Sequence, residues 1–99
     1  MTYSYEIQVD RGFRLLEEKA PRTWRDRVNR ADLNMGDPDS CILAQIFGSY
    51  TAGLEALGLQ IGTFGEMRNG FNAVCPEEHR DLTEAWLQKL RADARKRKT

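Results

Sequence analysis

Between residues 39 and 59 the apolar positions step by four and three. Leu43, Phe47, Tyr50, Leu54 and Leu57 form one stripe, and Ile42 and Ile46 widen it. So broad a stripe belongs to a helix buried by its neighbours. Weaker patterns surround it. Val9, Phe13, Leu16 and Ala20 fit a helical face running from near Val9 to Pro21, because the residue before proline is pushed out of the α region. Tyr3, Tyr5, Ile7 and Val9 also alternate with polar residues, which is strand periodicity, so the first residues stay open between strand, helix and tail. Thr23 with Asp26 is a variant capping box. It predicts a short helix with Trp24 and Val28 on one side and Arg25 on another, Trp24 being a core or core-edge anchor or, in the other reading, an exposed aromatic among arginines that stacks on a base. Ile61, Phe64 and Met67 recur at intervals of three. Thr63 and Glu66 fit a capping box and Asn69-Gly70 a stop, which gives a short helix over 63–69, followed by loop or a short strand over 71–74. Pro76, Glu77 and Glu78 suit a first turn. His79, Leu82, Trp86 and Leu90 then line one face of the longest surface helix, with Leu87 beside it, expected to fray after Ala94.

The central stretch reads in two ways. Asp39 and Ser40 offer N-caps, Gly58 a left-handed C′ position, and Leu59 an apolar residue that folds back on the last turn. Gly48 and Gly53 inside a helix cost about 1 kcal/mol each relative to Ala, so either another element approaches closely or the helix breaks. The stripe crosses Gly48 without a phase slip, which favours one helix over 40–57. Numbered from Ser40, however, Ala44 takes place five, Gly48 nine, Leu54 fifteen and Leu57 eighteen. That spacing resembles the helix-turn-helix of phage repressors of the Cro type. Ser49 stands where that family prefers an apolar residue, and residues 51–59 contain no Lys, Arg or Asn to read bases or phosphates. The preceding 32–40 segment is a linker in which Leu33 and Met35 alternate and Asp37-Pro38-Asp39 makes a turn. Its acids do not form a calcium loop, since Gly36, Asp37 and Leu43 occupy places five, six and twelve.

Ninety-nine residues make one domain, large enough to bury about 65% of its unfolded surface without staples. Fifteen basic residues balance fifteen acids, so no global charge directs the chain to nucleic acid or membrane. No run approaches the roughly 18 apolar residues of a membrane span, and no signal-peptide core stands at the start, so a cytoplasmic protein is expected. Charge is uneven nonetheless. Residues 91–99 carry five basic residues and one acid, a net of +4, and the remainder carries −4. Arg22, Arg25, Arg27 and Arg30 make a second basic island around Asp26. Helix-end solvation is the plain reading of the tail; contact with phosphates is the other.

Chemistry-bearing residues are few. Cys75 and His79 stand four apart, and with Cys41 they offer three zinc ligands, a fourth having to come from Glu78 or Asp39. The paired C-x-x-C spacing is absent, and two cysteines in a reducing compartment remain thiols. Cys41 at a helix N-terminus offers a nucleophile favoured by the dipole, against the plain reading of a small buried apolar residue. There is no phosphate loop, no telling carboxylate pair and no nucleophile elbow, so no catalytic, cofactor or metal site is assigned.

The segments GFRLLEEKAPRTW, DLNMGDPDSCILAQIFGSYTAGLEALGL, NGF and DLTEAWLQKL together resemble small uncharacterised proteins of actinobacteria and their phages. The matching positions include Pro21, Trp24, Cys41, Leu43, Gln45, Phe47, Gly48, Tyr50, Gly70, Phe71, Leu82, Thr83 and Trp86. The resemblance implies a helical layout and a phage or actinobacterial setting; it brings no activity. The expectation is one all-α domain of four or five helices over 1–94 with minor β pairing at most, and a basic tail over 95–99. Its function is expected to be non-enzymatic binding of another protein, such as a host factor. The alternative is nucleic-acid binding through a degenerate helix-turn-helix at 40–59. Arg22, Arg25, Arg27 and Arg30 are the candidate interaction surface.

Overall fold

The first helical stripe is realised earlier than its pattern indicates. In the computed structural model, which describes residues 4–62, 64–73 and 75–97, α1 spans Glu6–Lys19 and buries Val9, Gly12 and Leu16. The alternation from Tyr5 to Val9 is therefore absorbed into a helix, with Tyr5 itself buried, while Tyr3 lies outside the described residues. Ala20 leaves α1 in extended conformation, as its position before Pro21 requires. A 3₁₀ turn, Trp24–Arg27, follows. Thr23 makes no side-chain cap there, so the capping box does not form and the segment stops at one turn.

The central stripe is two helices, α2 at Ile42–Phe47 and α3 at Tyr50–Ala56. The single helix expected over 40–57 is broken at Gly48, which takes the left-handed conformation at φ 96°. Ser49 then caps α3 by accepting the N–H of Ala52 at 3.1 Å. The break lets α3 fold back on α2. A Cβ on Gly53 would stand 2.7 Å from Leu43 Cβ, a closeness only glycine permits. Leu43, Leu54 and Leu57 remain buried on both sides of the break, so the stripe survives a change of direction. The N-cap of α2 is Cys41, whose sulfur accepts the N–H of Ala44 at 3.5 Å. Asp37 serves the turn before it, accepting from the Asp39 N–H at 2.9 Å and the Ser40 hydroxyl at 3.2 Å. Asp39 and Ser40 are thus turn residues rather than caps.

At the end of α3 the N–H of Gly58 bonds Glu55 O and that of Leu59 bonds Leu54 O. This paired pattern satisfies carbonyls the helix leaves free. α4, Phe64–Arg68, ends the same way, with Gly70 bonded to Met67 O and Phe71 to Glu66 O. α5 runs from His79 to Arg97, past Ala94 where fraying was expected; Lys98 and Thr99 lie outside the described residues.

α1 packs against α5, and the turn after α4 wedges between them. A Cβ on Gly12 would collide with the carbonyl oxygen of Asn69 and approach Trp86 and Phe71, while one on Gly70 would stand 2.9 Å from the backbone of Gln8 and Val9. Trp86 donates its indole N–H to Gly70 O at 2.6 Å in this buried site, and its ring stacks on Phe71 at 5.7 Å. The result is a single compact all-α domain without a strand among the described residues. Leu33, extended, and Met35, in the turn that follows, are both buried, and α5 holds them by a bond from Met35 N–H to the Thr83 hydroxyl.

Candidate interaction surface

Glu66 is the one buried charged residue among those described, 6% exposed, on the inner side of α4. Burying a carboxylate is unfavourable unless hydrogen bonds replace its water. One oxygen accepts the phenol of Tyr50 on α3, and the other accepts the backbone N–H of Gly62. Burial, and next the Glu66 carboxylate, push the Tyr50 phenol well above its ordinary value, so it stays protonated and donating. Glu66 thereby ties the α3–α4 connection to both helices. The capping-box reading had directed Glu66 to Thr63, which lies outside the described residues; the observed acceptor bond goes to Gly62.

The tied connection carries apolar residues in water. Phe64 is 77% exposed and Ile61 63% exposed, against a core whose large side chains are almost wholly covered. Of the three residues in the period-three pattern, Met67 is half-buried while Ile61 and Phe64 face solvent. Gly62, at φ 79°, turns the chain between them. Of the described large apolar residues, only Ile7 on α1 is comparably exposed.

The four arginines of the basic island are held in different ways. Arg25 is half-buried, ion-paired with Glu17 and with Asp93 of α5 at 2.7 Å, and lies over the rings of Trp24 and Phe13 at 4.6 and 5.4 Å. The bond to Asp93 raises its already high pKa, despite burial. It joins α1, the 3₁₀ turn and α5. Trp24 is buried beneath it as expected. Arg27 donates to Ile46 O at 2.9 Å, at the carbonyl end of α2, where a cation complements the helix dipole. Arg22 is exposed. Arg30 is exposed beside the C-terminal part of α5.

Cys41 and His79 line one hollow of about 220 Å³ with Tyr50, Phe71 and Asn72, whereas Cys75 is exposed and outside it. Among the described residues no three His, Cys, Asp or Glu side chains are placed to hold a metal. Burial raises the Cys41 thiol, outweighing the N–H groups around the sulfur, so the dipole does not yield a ready thiolate. Asn72 Oδ1 already accepts the N–H of Ala73, so the His79 Nε2 at 3.1 Å is its second donor. Glu78 accepts from Tyr5 at 2.6 Å. These groups hold the fold together.

The α2–turn–α3 unit has the break that the repressor-like spacing requires, but α3 exposes Thr51, Glu55 and Ala56, with no cation in the helix. No helix among the described residues is long and apolar enough to cross a membrane. Comparison with protein-family models, with curated proteins and with solved structures returns no match.

Proposed function

We propose that the chain acts by binding another protein, without catalysis, and that Ile61 and Phe64 are its contact residues. The observation that carries this is the pairing of two strongly exposed apolar side chains with a buried carboxylate that accepts the N–H of Gly62 between them. An aromatic on a tied turn loses little freedom on binding and suits an apolar pocket of a partner. The groups best suited to chemistry, Cys41 and His79, are engaged in packing and hydrogen bonds, which supports a binding role.

The test is capture of partners by the whole chain against Ile61→Ser and Phe64→Ser. Both positions are solvent-exposed, so both variants should melt like the native chain. A partner held by the native chain and lost from the Phe64 variant supports the reading. Equal capture by all three overturns it.

A further inference from the structure

α5 sets Arg91 and Arg95 one turn apart on one face. The 3₁₀ turn Arg30–Asp32 places Arg30 against them, and with Ala94 the three arginines wall a hollow of about 270 Å³ that no carboxylate lines. Arg30 also borders a neighbouring hollow of about 250 Å³ together with Arg97. The acids there are Asp26 and Asp93, and Asp93 is engaged by Arg25 at 2.7 Å. Arg91 reaches Glu84 at 3.7 Å with both side chains 55% exposed, a loose pair. No ion pair holds Arg30, Arg95 or Arg97 among the described residues.

Complementing the dipole at the end of α5 accounts for Arg95 and Arg97, which lie in its last turn, but not for Arg91, a turn further back. It does not account for Arg30, which another element delivers to the same spot. In a chain of net charge zero this convergence is a separation of charge, and the guanidinium forks repel one another until an anion sits among them. Their planar donors match phosphate oxygens. We infer that Arg30, Arg91 and Arg95 form a seat for the phosphodiester backbone of nucleic acid, contacted without base readout. The only apolar side chain in the wall is Ala94, so the hollow offers nothing to insert into lipid. The seat uses different residues from the protein-contact reading and stands independently of it.

The experiment is fluorescence anisotropy of a labelled random-sequence duplex titrated with the full chain across a salt series. With three phosphates neutralised, affinity should fall roughly 40-fold between about 50 and 200 mM salt. Arg30→Gln combined with Arg95→Gln should abolish most binding and flatten the salt slope by roughly two-thirds. Arg14→Gln, on α1 and outside the cluster, should stay within about twofold of native. All these side chains are exposed, and matching melting curves confirm that the variants fold. Absence of binding at low salt, an equal loss in the Arg14 variant, or binding to phosphatidylserine vesicles with the duplex ignored would each overturn the inference.

Discussion

At its C-terminal end α4 runs into a turn closed by absence: Gly12 and Gly70 bring backbone against backbone, and Trp86 donates a buried hydrogen bond to Gly70 O. At its N-terminal end it is closed by a side chain, Glu66, which gathers Tyr50 and the Gly62 N–H and leaves Phe64 in water. The first end is dry and permits no added atom. The second keeps a buried charge and exposes apolar surface beside it. The first end closes the fold, and the second leaves apolar side chains in water beside a buried charge whose hydrogen bonds are made.

The comparison breaks most severely at the dry end. Gly12→Ala should destabilise by about 3 kcal/mol or more, because the new methyl meets a carbonyl oxygen that cannot move without opening the α1–α4 contact. Denaturant unfolding measures it, and a loss below about 1 kcal/mol would mean that the junction is looser than described. Trp86→Phe should cost roughly 2–3 kcal/mol, since it leaves Gly70 O buried without its donor and removes part of a buried ring.

The other end should be graded by chemistry. Glu66→Ala strands both the Tyr50 hydroxyl and the Gly62 N–H, at about 2 kcal/mol or more. Glu66→Gln should cost less, because its amide oxygen can accept from Gly62 while its NH₂ donates to the Tyr50 oxygen. If the two variants are equally unstable, hydrogen bonding is not what holds the connection. Phe64→Ser should change stability by less than about 0.5 kcal/mol, the expected signature of a side chain that the fold does not use.

A smaller effect sits on the surface of the α1–α5 pair. The Lys89 hydrogen bond at 2.7 Å holds the Asp10 carboxyl below its ordinary 3.8, against a weaker opposing effect of burial. Because the folded value is the depressed one, the contribution is complete above pH 3.8 and disappears as pH falls through the folded value. Asp10→Asn should therefore lower stability slightly at neutral pH, and the gap to native should close in acid. A gap that widens in acid has the wrong sign.

Much of the architecture was legible in the chain. The 43–57 stripe, the stop signals at Gly58 and Gly70, the extended Ala20 and the face of α5 follow from local spacing, and all are present. The break at Gly48 was legible only as one of two options, because a stripe in phase across a glycine looks the same whether the helix continues or turns. Gly12 left no local signal: inside a helix it reads as a cost, and its purpose is a contact with Asn69, far along the chain. The interval-of-three pattern of Ile61, Phe64 and Met67 pointed to a short helix without saying which face it buries, and in a helix of five residues Phe64 stays in water. The surroundings of the arginine island are tertiary and leave no mark in the sequence. A charge count cannot show that Arg25 is neutralised by Asp93 on α5, or that Arg30 joins Arg91 and Arg95.

Whether Glu66 fixes the connection beside Phe64 is tested most directly by amide hydrogen exchange at Gly62. In the native chain that N–H should be protected although the residue itself is exposed, and Glu66→Ala should release it while the amides of α5 keep their protection. Exchange of the native Gly62 amide at the rate of an open chain would contradict the tie, and with it the reading of Ile61 and Phe64 as a held contact surface.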